Sequence, residues 1–163
     1  NDPEKRWVLK NPSHLFALDA LFATYPDALV IQCHRPAETI MASMCSLSQH
    51  TTEGWSHSFV GATIGADSLE TWSRGLERFN AVRATKNPAQ FCDVDYFELI
   101  RDPIGTGENI YAHFGIELTD DARAAIERTD DDSKQGPRAP KHTYSLADYG
   151  LTEDQVRERF AGL

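Results

Sequence analysis

The sequence has no run approaching the roughly 20 apolar residues that a membrane-spanning helix needs. Its opening, NDPEKRWVLK, holds no apolar signal core. Stable membrane insertion is therefore not expected. Cysteine is scarce: Cys33, Cys45 and Cys92 are an odd set without CxxC spacing. They read as buried, reduced thiols, which disfavours a disulfide framework and makes a cytoplasmic setting the default. No His has a carboxylate or Cys at ligand spacing, so no metal site is expected. Positive charge is also short. Sixteen Lys and Arg face 25 Asp and Glu, a net charge of -9 with His neutral. That excludes non-specific nucleic-acid binding, which needs a basic surface. An anionic cofactor is still allowed, because a few local cations make such a site. No internal repeat and no linker divides the 163 residues, and a chain of this length is enough for one core.

What is there alternates between short apolar runs and longer amphipathic ones. Residues 6–10 form the first strand candidate and end at Asn11-Pro12, a breaker. Ser13 is placed to cap a helix over residues 14–25, with Leu15, Leu18, Leu21, Phe22 and Tyr25 on one face. Residues 28–33, ALVIQC, read as a strand buried on both faces, as in parallel sheets. Pro36 suits the first turn of the helix that follows, to about Gln49, with Ile40, Met41, Met44 and Leu47 inward.

Residues 51–66 are rich in Gly, Ser, Thr and His and read as a loop or lid. Asp67 and Glu70 have capping-box spacing for a long helix carrying Leu69, Trp72, Leu76 and Phe79. Residues 91–96, FCDVDY, alternate as a strand. Asp102-Pro103 opens another helix, and Thr119 opens the next, with acidic residues at its positive end. Residues 130–142 are polar with Gly and two Pro, hence a loop. Thr152 and Gln155 cap a last helix. The alternation implies an α/β protein with a parallel sheet flanked by helices.

The chemistry concentrates at residues 28–48, ALVIQCHRPAETIMASMCSLS. In a doubly wound sheet, ligands bind beyond the carboxyl ends of the strands. Arg35 stands there, next to a helix start that itself favours anions. Its guanidinium suits bidentate phosphate binding, although an arginine at a strand end also serves as a surface ion-pair partner. Ser43 follows eight residues later.

The segments WVLKNPSHL and YPDALVIQCHRPAETIMAS resemble the PAPS-dependent sulfotransferases, above all the bacterial ones. In that family a strand ends in Arg and a Ser follows eight residues on. The resemblance implies that Arg35 and Ser43 bind the 3'-phosphate of 3'-phosphoadenosine 5'-phosphosulfate (PAPS). The family's Arg-Asp-Pro or Arg-Asn-Pro is here Arg-Pro-Ala, one place early. FCDVDYFELIRDP is similar to a later strand and helix whose tyrosine, here Tyr96, lies near the adenosine. GPRAPKHTYSLADYGLTEDQV resembles the family's basic loop and last helix, which makes Arg138 and Lys141 cofactor contacts. The resemblance covers nearly the whole chain. It implies a P-loop-NTPase-like sulfotransferase fold, with residues 1–163 as a single domain, the C-terminal part of the sulfotransferase domain. Nothing before Trp7 forms the small-residue loop that cradles the 5'-phosphosulfate. The expectation is a C-terminal portion that is inactive when isolated.

The implied reaction is sulfuryl transfer from PAPS to a hydroxyl acceptor, a small molecule, glycolipid or carbohydrate. His14 is the candidate general base, and Lys10 the candidate cation at the sulfate or leaving oxygen. The cytosolic enzymes carry Lys-x-His in this region, whereas Lys10 and His14 are two residues further apart. A solvated or capping role for His14 and a surface role for Lys10 compete with these. His50 and His57, with Trp55 and Phe59, are candidates for the acceptor side; Trp72 falls on a core stripe. His34 is read as facing helix packing and His113 as solvated. Two other readings stand beside the enzyme: a non-catalytic fragment that binds a nucleotide 3'-phosphate, and a nucleotide kinase. The kinase is disfavoured by the lack of a G-x-x-x-x-G-K-[ST] sequence. The acceptor and the oligomeric state, an oligomer included, are not readable from the residues.

Overall fold

The computed structural model describes residues 6–135 and 144–163. Two parallel strands lie side by side: β1, Val30–His34, and β2, Phe91–Asp95, pairing from Val30↔Phe91 to His34↔Asp95. A parallel pair needs a long crossover. Here it is made by α2, Ala37–Thr52, and α3, Ala62–Arg83. A short helix α1, Leu18–Thr24, precedes β1. After β2 come α4, Tyr96–Arg101; α5, Pro103–His113; α6, Asp120–Gln135; and α7, Glu153–Phe160. The α/β architecture expected from the alternation is therefore present.

The core is in two clusters. Met41 and Cys45 of α2 meet Ile64 of α3, Tyr149, Leu151 and Val156 of α7, with Trp72 and Phe59 against them. Trp72 thus belongs to the core stripe, and Phe59, partly buried, also packs against this cluster. Trp55 projects into solvent at 89% exposure. The second cluster joins Leu18 and Phe22 of α1, Phe79 of α3 and Phe91 of β2. The Phe22 and Phe91 rings lie 5.7 Å apart, and Phe79 meets Phe91 edge-on at 6.4 Å. α3 serves both clusters because two glycines let neighbours come close. A side-chain carbon at Gly75 would strike Phe16, and one at Gly65 would strike the Tyr149 carbonyl.

Several sequence expectations change. Residues 6–10 do not form a strand; they have no ladder partner among the described residues, and their side chains are exposed. The helix expected over 14–25 is divided into a 3-10 turn, Pro12–Phe16, and α1, with Ala17 between them outside helical geometry. Asp67 and Glu70 do not cap a helix; α3 begins five residues earlier, after Gly61, whose φ of 49 favours glycine. Residues 130–135, expected in a loop, continue α6, where Lys134 pairs with Asp130 one turn back at 2.6 Å. Strand β1 is not buried on both faces: Ile31 is 49% exposed, and Cys33, two residues on and so on the same face, is exposed too. Cys33 on that strand is exposed, whereas Cys45 and Cys92 are buried and their thiols are pushed up by burial. The capping box of α7 forms as expected, with Thr152 and Gln155 exchanging side-chain and backbone bonds.

Candidate functional site

The two strands end together at their carboxyl edge, and each is followed at once by a helix. β1 stops at His34, Arg35 links, and Pro36 is the N-cap of α2 with φ -50. Proline's fixed φ starts the helix without a wider loop. β2 stops at Asp95, whose carboxylate accepts the Phe97 and Glu98 amides at 2.8 and 2.9 Å and so starts α4. Tyr96 is the first residue of that helix. Register His34↔Asp95 thus makes Arg35 and Tyr96 neighbours across the strand ends.

Their side chains meet. The Arg35 guanidinium lies over the Tyr96 ring, 4.4 Å from its centroid. A planar cation on an aromatic face is attracted by the ring quadrupole and held in orientation. The Arg35 Nε is buried and has no hydrogen-bond partner among the described residues. A buried donor left unpaired is costly in a folded protein. The surface ion-pair role that competes with the ligand reading finds no partner for Arg35 among the described residues.

Ser43 is half-buried in α2. At 1.5 Å rise per residue it stands about 9 Å along the axis from Ala37. Thr39, also half-buried, lies four residues before it and so on the same side of the helix. The sequence reading passed over Thr39, although the four-residue steps 35, 39, 43 were visible. Glu38, in the first turn of α2, is met by Arg157 of α7 at 3.3 Å.

The opposite side of the strand ends carries a network that sequence reasoning also missed. Arg83, the last residue of α3, donates to both carboxylate oxygens of Asp93, at 2.7 and 2.6 Å. It also donates to the Gln32 side-chain oxygen at 2.5 Å. The His34 Nε2 and Asp93 Oδ1 are 2.7 Å apart. His34 therefore binds a strand neighbour rather than facing helix packing. The Arg83 guanidinium, and next the His34 contact, hold the Asp93 carboxyl well below the usual carboxylate range. Alternation in FCDVD marked Asp93 as outward, but nothing in sequence order pairs it with residues 10 and 59 positions away.

His14 lies in the 3-10 turn Pro12–Phe16, which packs against α1 and α3, with Phe16 5.3 Å from Trp72. Lys10 is exposed just before that turn. The structure brings Arg35 and Tyr96 together and sets Ser43 on the adjoining helix; no described hydrogen bond or ion pair ties Lys10 or His14 to them. Arg138 and Lys141 lie outside the described residues. His50 hydrogen-bonds the Ser46 carbonyl one turn back, at 2.8 Å. Among the described residues no group of three or more His, Cys, Asp or Glu is gathered for a metal, and no helix is long and apolar enough to cross a membrane.

A parallel strand pair flanked by helices defines an α/β protein. Residues 1–121 match the sulfotransferase family, and the chain belongs to it. It is similar to the omega-hydroxy-beta-dihydromenaquinone-9 sulfotransferases Stf3 of Mycobacterium bovis and Mycobacterium tuberculosis. Identity to each is 28% over 115 residues, 69% of this chain and 29% of theirs. Among solved structures, sulfotransferase STF1 of Mycobacterium tuberculosis superposes with a TM-score of 0.84 and 68% identity, over 98% of this chain and 40% of that one. Sulfotransferase STF9 of Mycobacterium avium gives 0.77 and 27%, over 95% of this chain and 40% of its own. The chain thus spans well under half the length of these relatives. The fold is the P-loop-like sulfotransferase fold, represented by this two-stranded part of it.

Proposed function

We propose that the protein takes part in sulfuryl transfer from PAPS to a hydroxyl acceptor, and that this chain supplies the 3'-phosphate and adenosine side of the donor site. The observation that carries the reading is Arg35: a guanidinium stacked on Tyr96 with a buried, unpartnered Nε, at the carboxyl end of a parallel strand. Bidentate donation to a phosphate oxygen pair satisfies such a group. Ser43, from the second turn of α2, adds a hydroxyl donor, and the α2 N-terminus adds its own preference for negative charge. Tyr96 fixes the guanidinium plane and offers ring surface to the adenine.

In the transfer, the acceptor oxygen forms a bond to sulfur as the bond from sulfur to the bridging oxygen breaks, and the acceptor proton passes to a base. The protein's part is to align the two and to offset charge on the leaving oxygen. His14 is proposed as that base and Lys10 as that cation, with Arg138 and Lys141 as further phosphate contacts. The acceptor is proposed to be a small-molecule or lipid hydroxyl, as the Stf3 name supports. Three cysteines outside any disulfide fit a reducing, cytoplasmic setting.

The test is calorimetric titration with 3'-phosphoadenosine 5'-phosphate (PAP), the desulfated product. Arg35→Ala should weaken PAP about 100-fold, from the loss of charge-assisted hydrogen bonds worth about 3 kcal/mol. Equal affinity in the wild type and the variant overturns the reading.

A further inference from the structure

The residue before Arg35 is tied down more firmly than its exposure requires. His34 is half-exposed, as is Asp93, yet the two are 2.7 Å apart. Asp93 in turn is gripped at both oxygens by Arg83, itself largely covered. The same guanidinium reaches Gln32 on the neighbouring strand. Gln32 and Asp93 are register partners, and His34 is the last paired residue of β1. One side chain from the end of α3 thus clamps the middle rung of the pair, and through Asp93 that clamp reaches His34, the residue directly before Arg35. Arg83 is itself seated, 4.9 Å over the Phe91 ring in the second core cluster. Exposed ion pairs contribute little to stability when isolated. Bidentate geometry and a shared acceptor instead fix direction, which is what a phosphate-gripping arginine needs from its backbone.

We infer that Asp93, held by Arg83 and holding His34, is a positioning residue for the grip of Arg35 on the 3'-phosphate. This rests on the donor-site reading of Arg35 proposed above. The lock acts through the ends of β1 and β2 and touches no ligand. Its effect should therefore be selective. A nucleotide with a 3'-phosphate feels a misdirected Arg35, while the same nucleotide without that phosphate does not.

The experiment compares PAP with adenosine 5'-phosphate, which lacks the 3'-phosphate, on the chain and its variants by calorimetry at fixed salt. Asp93→Asn should weaken PAP about ten-fold, the low end of what losing a supporting contact behind a ligand-binding group does. Adenosine 5'-phosphate binding should stay unchanged. His34→Ala, at an exposed position the fold tolerates, should produce a smaller loss with the same selectivity. Adding Asp93→Asn to Arg35→Ala should bring no further loss, because the lock then has nothing to direct. Asp93→Asn that weakens both nucleotides equally, or neither, overturns the inference while Arg35→Ala still weakens PAP. Arg35→Ala without effect removes the donor-site reading and the inference with it.

Discussion

The carboxyl edge of the sheet and the stretch from Arg6 to Phe16 both carry residues that sequence spacing marks for chemistry, and they are built in opposite ways. At the sheet edge, Arg35 follows a paired strand, stacks on Tyr96 and sits beside the Arg83–Asp93–His34 lock. Ahead of Phe16, Lys10 and its neighbours have no ladder partner among the described residues, and Trp7 is 80% exposed. The difference teaches that a reactive residue type at a plausible spacing is half of a site. The other half is a backbone whose direction is set by contacts around it. The proposed cofactor side has that support within this chain. For the proposed catalytic pair only the 3-10 turn, with Phe16 against Gly75 and Trp72, provides any.

The contrast breaks first, if it is wrong, on stability. Phe91→Ala removes the ring beneath Arg83 and between Phe22 and Phe79, and should destabilise by about 3–5 kcal/mol in urea unfolding. A loss below about 1 kcal/mol would mean that β2 does not anchor the edge. Ser43→Ala comes next: PAP affinity should fall about five-fold, the loss of one hydrogen bond near 1 kcal/mol, with unfolding unchanged. No fall would leave Arg35 alone on that side.

The third effect is in acid. The Asp93 carboxyl is depressed in the fold, so its stabilisation is present above the unfolded value of 3.8 and fades as pH falls below it. Asp93→Asn should lack that part of the acid-induced loss. Because the pair is half-exposed and screened, the difference should stay under about 1 kcal/mol. Identical pH profiles for both proteins would deny the lock its charge. The smallest effect is expected at the other region. Trp7→Ala should change stability by no more than about 0.5 kcal/mol. A larger loss would show that the stretch is packed after all, and would strengthen Lys10 and His14.

Much of this was legible in the residues. A branched apolar run gave β1 and alternation gave β2, each to within two residues, Pro36 and Asp102-Pro103 marked helix starts, and Thr152 with Gln155 marked α7. Arg35 was marked by its place at a strand end before a helix start, which is local, whereas Ser43 and Tyr96 were singled out by the resemblance to sulfotransferases. The errors arose where contacts between distant segments outweigh local signals. Asp67 and Glu70 have cap spacing but sit inside α3, whose start is set by the turn at Gly61 and the fit of Gly65 under Tyr149. The acidic residues 130–132 looked solvated and loop-like, yet they lie within α6, where Asp131 and Asp132 are exposed and the largely covered Asp130 pairs with Lys134.

The amino-acid sequence by itself determined the periodicities, the breakers and the residue types at the strand ends, because these depend on neighbours a few positions away. From them came an α/β chain and a strand-end arginine, and separately the order of residues in several segments resembled sulfotransferases. Only the tertiary structure decided that Tyr96 lies under Arg35, that its Nε is buried without a partner, and that Arg83 reaches back over Asp93 to Gln32. Each of those joins residues ten to more than sixty positions apart. Their meeting depends on strand register and on where α3 ends against β2, which no local pattern encodes.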